Sequence, residues 1–328
     1  AFLLNRSSDL EITIQNCANY GNISFQQADC KAGGILGYMN NTGTAVRNCL
    51  NIGTISYAGE GSPTYGAAII GHLNDNHDAA KLTNNYWLEG SGNGASAGNV
   101  LSTETNPSVT TTQLASGEVA YKLNGSTCYG VNWFQNLSGT ADDNPVLSNT
   151  HGIVNIISAA RYTTQYIPTT DVTIPDGIEA FAGRINGEHL TLVAIEDAIS
   201  KEDAVILRGN EGYYSFVPTT GVSKATNNLL GSDGTATGGD GIYALANRDG
   251  VGFYPVSGEV TIPAGKAYLN TSAGVKGFTF LFEDDATGLD AVNGEGFMVN
   301  GPIYNLAGQR VNKMQKGINI INGKKILR

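Results

Sequence analysis

The stretch HLNDNHD, His72 to Asp78, gathers two imidazoles and two carboxylates within one short segment, the side chains that hold zinc and similar ions. His72 stands where an earlier copy of the same phrase has Tyr38, so repetition explains its place, and a polar loop explains the rest. The run GSDGTATGGDG, 231 to 241, offers Asp233 and Asp240 as oxygen ligands. It lacks the acidic ladder and closing glutamate of a calcium loop and reads as a turn. No metal is expected. Nucleophile chemistry has no better footing, because there is no GxSxG elbow, no cysteine in a nucleophile signature, and no glycine cluster with phosphate-loop or dinucleotide spacing. A sugar-cleaving β-helix would need two carboxylates on adjacent turns of its stack. The candidates, Glu11, Asp29, Glu60, Asp75, Asp78 and Glu89, fall mostly at turns. The chain is expected to be no enzyme and to need no cofactor.

Binding is the chemistry that remains. Aromatic rings stack on the apolar faces of sugars, and the candidates are Tyr213, Tyr214, Phe253, Tyr254 and Trp133, the last beside Phe134. Adjacent residues of a strand point to opposite faces, so one ring of each neighbouring pair is expected in the core.

The elements that would position these residues come from repetition. NCANYGNIS, 16 to 24, and NCLNIGTIS, 48 to 56, are nearly the same phrase. The likeness extends to Tyr38 in the first copy and His72 in the second, and a degraded third start appears at NNYW, Asn84 to Trp87. A period in the thirties signals stacked units that bury a shared core. Ile23 with Phe25, and Ile55 with Tyr57, read as strand alternations punctuated by Gly21, Gly37, Gly53 and Gly71. Repeated asparagines are placed to hydrogen-bond from rung to rung. Cys17 and Cys49 would then stack with parallel side chains about 4.8 Å apart, farther than the ~3.5–4.5 Å between Cβ atoms that a disulfide favours. Free, buried thiols are favoured for this ladder over a bridge; with Cys30 and Cys128 the four cysteines would allow three pairings if all were bridged.

TTTQLASGEVAYKLNG, Thr110 to Gly125, predicts one helix capped by Thr112, with Leu114, Ala115, Val119 and Leu123 on one face. Gly117 inside it costs about 1 kcal/mol relative to alanine. Beyond Val154, VTIPDGIEAF at 172 to 181 is echoed by VTIPAGKAYL at 260 to 269 and more faintly by ISKEDAVILRG at 199 to 209. This reads as an antiparallel sandwich with a recurring corner, its core including Phe181, Ile206 and Tyr268. The end of the chain alternates around turns at Ala307-Gly308, Lys316-Gly317 and Asn322-Gly323, which signals hairpins.

Only 15% of residues are charged, and 43 of 328 are glycine. That suits strands and tight turns better than long helices. The net charge of −10 repels phosphate backbones, and the cations past Glu295, from Arg310 to Arg328, form a short basic tail instead of a stripe. A nucleic-acid partner is therefore not expected. No apolar run reaches the ~20 residues of a membrane-spanning helix. The start at Ala1, inside a repeat, reads as a piece of a longer precursor.

The NCxNxGxIS…GGIxGY copies resemble the GLUG-type repeats of large surface proteins of Gram-negative gut anaerobes. The segment from Thr110 to Val154 is similar to a connector that follows such repeats. Tyr304, Leu306, Gly308, Val311, Gly317, Ile320, Gly323, Lys324 and Lys325 resemble the closing half of a Por-type secretion sorting domain. The resemblance implies a secreted or outer-membrane-associated protein with accessory β modules.

The expected fold is all-β: a short β-solenoid over 1–100, a helix-containing cap over 101–155, a β-sandwich over 156–286 and a β-hairpin region over 287–328. The expected function is non-catalytic adhesion or recognition of an extracellular protein or glycan. The alternatives are a carbohydrate-binding module for polysaccharide capture and, third, a polysaccharide-cleaving β-helix.

Overall fold

The structure is a computed structural model that describes residues 11–62, 65–75, 77–98, 103–272, 274–283, 290–291, 303–305, 309–311, 318–321 and 324–327. The architecture is all-β, built from several small sheets and one large mixed sheet.

The repeated phrases pair with each other in parallel and in register. Ile12–Gln15 lies on Thr44–Arg47, with Ile12 opposite Thr44, and Ile23–Phe25 lies on Ile55–Tyr57. Leu36–Met39 lies on Ile70–Leu73, which sets Tyr38 opposite His72 as the repeat alignment requires. The third start joins as well, since Tyr86 pairs with Leu50, and Ser108–Val109 adds a further strand beyond it. Asn16, Asn48 and Asn84, the residue that opens each copy, all have positive φ, at 52°, 54° and 57°. Asparagine tolerates this left-handed region better than other residues with a side chain, which is a physical reason for the recurring N. The second asparagine of the phrase builds a ladder: Asn19 Nδ2 donates to Asn51 Oδ1 at 2.7 Å, and Asn51 Nδ2 donates to Gly53 O at 2.9 Å. The interior between the columns is apolar, with Val46, Cys49, Ile69, Ile70 and Leu73 fully buried.

The predicted helix is two short ones, α1 (Thr111–Ala115) and α2 (Glu118–Leu123). The break is at Gly117, whose φ of 86° belongs to no helix interior, and a Cβ there would meet Leu137 at 2.7 Å. The cap is Thr110, not Thr112: its hydroxyl accepts from Gln113 N while Gln113 Oε1 accepts from Thr110 N, a reciprocal capping box. Leu114, Val119 and Leu123 pack with Trp133 against Leu50, Tyr86 and Val109 of the repeats. On the other side, Cys128 and Phe134 enter the next core with Ile153, Ile157, Val172 and Phe216. This connector therefore belongs to the packing of both halves, and the strand Ile153–Ile157 runs across the expected boundary at 155/156.

The strands beyond it do not divide into the two facing sheets that the sequence suggests. Nine of them form one continuous sheet, in the order Tyr162–Tyr166, Ala204–Arg208, Glu179–Asn186, His189–Ile195, Phe278–Phe282, Val251–Pro255, Ile242–Asn247, Ala267–Asn270 and Leu230–Gly231. All neighbours are antiparallel except the pair His189–Ile195 and Phe278–Phe282. The sheet curls until its ends nearly meet: Tyr166 N donates to Gly265 O at 2.9 Å, and Ala267 N to Thr164 Oγ1 at 3.0 Å. Inside lie Phe181, Leu190, Leu192, Ile206, Phe253 and Phe278. Ala204–Arg208 is buried on both faces, sending Ile206 inward while Val205 and Leu207 face the connector core. The recurring corner is real: Pro175–Ile178 and Pro263–Lys266 are both turns closed by a backbone bond, with Gly177 and Gly265 each at φ 80°. That value at the third position defines a type II turn.

In the carboxyl-terminal region, Ile303–Asn305 pairs antiparallel with Ile318–Ile321, which pairs antiparallel with Lys324–Leu327. The expected turns at Ala307-Gly308, Lys316-Gly317 and Asn322-Gly323, and with them Leu306 of the tail motif, lie outside the described residues.

Candidate functional site

Local structure engages most of the described side chains of HLNDNHD, although His72 Nδ1 is buried without a hydrogen-bond partner among the described residues. His72 stacks on Tyr38, with ring centroids 5.4 Å apart, and meets Tyr65 edge-on at 4.2 Å. His77 Nδ1 is 2.7 Å from Asn74 O, and Asp78 accepts from Ala80 N to start the turn Ala79–Lys81. Among the described residues no three His, Cys, Asp or Glu side chains gather as a metal site. Asp233 accepts from both the amide and the hydroxyl of Thr235, which holds its carboxyl below the usual range. In the connector, the sequence reading did not single out the pair of His151 Nδ1 and Asp142 Oδ2 at 2.7 Å, which fastens the loop around Asn136. Among the described residues no helix is long and apolar enough to cross a membrane.

The four cysteines are unpaired. Cys49 is wholly buried, and burial pushes its thiol up to about 12. Cys128 is buried too and likewise raised, whereas Cys30 is exposed and Cys17 half-buried. With Ellman's reagent, Cys30 is expected to react first, while Cys49 and Cys128 react only once guanidinium unfolds the chain. Modification of Cys49 in the native protein at the rate of Cys30 would contradict this placement.

The aromatic candidates separate by burial. Trp133 and Phe253 are fully buried, which leaves neither ring a free face. Tyr213 and Tyr214 are both half-buried, because the strand Gly212–Phe216 is covered on its two sides: Tyr213 packs near Tyr121, Tyr214 against the connector core. Tyr254 is 9% exposed, its hydroxyl donating to Gly250 O at 2.9 Å, and it forms part of a cavity.

That cavity, about 590 Å³, opens between Tyr162–Tyr166, the paired strands Ile242–Asn247 and Val251–Pro255, and the segment leading to Lys266. It falls within the roughly 300–1,000 Å³ of small-ligand sites. Tyr162 and Tyr254 supply ring surface, Thr163, Thr164, Ser257 and Thr261 supply hydroxyls, and Arg248 and Lys266 bring positive charge. Tyr162 also heads an aromatic cluster, 5.5 Å from Phe280, which lies 6.3 Å from Phe253. The near-closure of the sheet positions this wall, since Thr163 and Thr164 lie opposite Lys266 and Ala267 across it.

Comparison of the chain with protein-family models, curated proteins and solved structures returned no match. The cavity is thus read from its own chemistry. Of its residues, sequence reasoning had only Tyr254. Tyr162 went unnoticed because it has no aromatic neighbour in sequence. Lys266 carried a usable signal: in the paired phrases VTIPDGIEAF and VTIPAGKAYL it replaces Ile178, which is buried.

Proposed function

We propose that this chain is a non-catalytic glycan-binding protein that captures an extracellular saccharide in the cavity beside Tyr162 and Tyr254. The observation that carries the reading is the coincidence, in one cavity of suitable volume, of two tyrosine rings with the hydroxyl side chains of Thr163, Thr164, Ser257 and Thr261. Pyranose rings present apolar C–H faces that stack on aromatics and hydroxyls that exchange hydrogen bonds, so a sugar satisfies both kinds of lining. Adhesion through broad surface contact with an extracellular partner, which the sequence alone puts first, has less to support it among the described residues. The exposed large apolar residues Ile12, Tyr20, Tyr38, Leu147, Leu230 and Val260 are spread over both halves of the chain.

The parallel pairing of the phrase copies supports a β-solenoid reading of residues 1–100 and, with it, the GLUG-type resemblance and a secreted or cell-surface setting. In that reading the stack is a spacer and the curled sheet is the capture module.

Binding of the purified chain to an array of plant, bacterial and host glycans tests the proposal. Wild type is expected to select a glycan class. Tyr162→Ala, and Ala246→Trp, which fills the cavity from its wall, are each expected to weaken binding at least about tenfold, roughly 1.4 kcal/mol, without loss of β circular dichroism. Silence of the folded wild type on every glycan, or full binding by both variants, would overturn it.

A further inference from the structure

We infer that the cavity is built for an acidic sugar, with Lys266 as the counter-ion of its carboxylate; this rests on the glycan-binding reading above. Among the described residues no Asp or Glu lines the cavity, and the two charged side chains that do are both cationic, in a chain whose net charge is −10. A positive concavity in an acidic body concentrates anions locally against the field of the whole. Lys266 is half-buried, and among the described residues Nζ makes a single hydrogen bond, to Thr163 Oγ1 at 3.2 Å. Among the described residues no carboxylate lies within salt-bridge distance of it. The Cys128 thiol also acts on it electrostatically, but burial raises that thiol and so disfavours its charged form. An ammonium with two unused donors and no partner charge is an arrangement that proteins rarely bury for packing alone.

The lysine is also fixed in place. It ends the Pro263–Lys266 turn, where Lys266 N donates to Pro263 O and Ser232 N to Lys266 O at 2.8 Å. Gly265 before it is held by the connector, with Thr127 Oγ1 donating to Ala264 O at 2.9 Å. A Cβ on Gly265 would lie 3.0 Å from Cys128 Sγ, so only glycine fits the close approach. Burial pulls the Lys266 ammonium below its ordinary range, and a carboxylate bound against it would restore the charged form. Arg248 lies 5.5 Å over the Tyr254 ring and donates only to a backbone carbonyl, Pro255 O at 3.4 Å, so its guanidinium is free to assist at the mouth.

Carboxylate sugars come from two sources, the uronic acids of polysaccharides and the sialic acids of host glycans. The test is calorimetric titration of the whole chain with trigalacturonic acid, 3′-sialyllactose and, as neutral counterparts, galactotriose and lactose, at low and high salt. One acidic probe is expected to bind at least about tenfold more tightly than its neutral counterpart, with the gap narrowing as salt rises. Lys266→Met, which keeps the aliphatic stem, is expected to abolish the gap between the acidic probe and its neutral counterpart, and Arg248→Gln to narrow it. Whichever acid binds identifies the source. Equal binding of acidic and neutral sugars would overturn the acidic inference and leave the glycan reading standing. Unchanged discrimination by Lys266→Met would overturn the lysine's role. Failure of all four probes, together with silence on the array, would remove the glycan reading itself.

Discussion

Replacing Trp133 with alanine is expected to lower the unfolding free energy by about 3–5 kcal/mol, the range for removing a large buried aromatic. The side chain is fully buried among Leu50, Tyr86 and Val109 of the repeats and Leu114, Val119 and Leu123 of the two helices. Its indole N–H donates to Asn48 O at 3.1 Å, and Asn124 clamps its backbone from both sides, accepting from Trp133 N and donating to Trp133 O. Alanine would therefore open a cavity and leave a partly buried carbonyl without its donor. Trp133→Phe keeps most of the contact and loses the bond, so about 1–2 kcal/mol is expected. Urea unfolding followed by far-ultraviolet circular dichroism measures both. A loss below about 1 kcal/mol for the alanine variant would mean that the connector does not hold the repeats through this ring.

Asn51→Ala is expected to cost about 2–4 kcal/mol, because the side chain is wholly buried and three partners lose it at once. Its amide donates to Gly53 O and Ser91 Oγ, and its oxygen accepts from Asn19. The same substitution at Asn19, one rung nearer solvent, is expected to cost about 1 kcal/mol or less. The ordering of the two variants in urea midpoint is the measurement. Equal losses would show that burial of the side chain does not set what each asparagine contributes to the ladder.

How much of this was legible from the residues depends on the range of the interaction. The parallel pairing was, because two copies of one phrase carry their register with them: Tyr38 over His72 follows from alignment alone. The corner at Pro175 and Pro263 was legible for the same reason. Alternation predicts that one ring of the pair Phe253 and Tyr254 is core without saying which; the structure puts Phe253 in the core and Tyr254, 9% exposed, at the cavity wall. Alternation failed for Tyr213 and Tyr214, since a strand covered on both faces has no solvent side to mark. The single curled sheet could not be read, because it hinges on His189–Ile195 finding Phe278–Phe282 in parallel across most of the module, and no local pattern names a distant partner. Gly117 was seen but taken as a tolerated cost inside one helix. Its positive φ breaks the helix, and Leu137, packed from outside that segment, leaves no room for a side chain there. The cavity stayed hidden because its wall is assembled across the seam from Thr163 and Lys266, 103 residues apart.

The stacked copies keep their height while changing their length. Ile23 pairs with Ile55 after 32 residues, Leu50 with Tyr86 after 36, and Trp87 with Ser108 after 21, all in parallel. The surplus is carried outside the ladders, as in the segment holding the turn Ala79–Lys81. Loop closure grows dearer only slowly, about 0.6 kcal/mol per doubling, so such a column can acquire or shed surface loops by mutation with little penalty. Its exterior is thereby free to diversify, under pressure from whatever meets it, behind an unaltered frame.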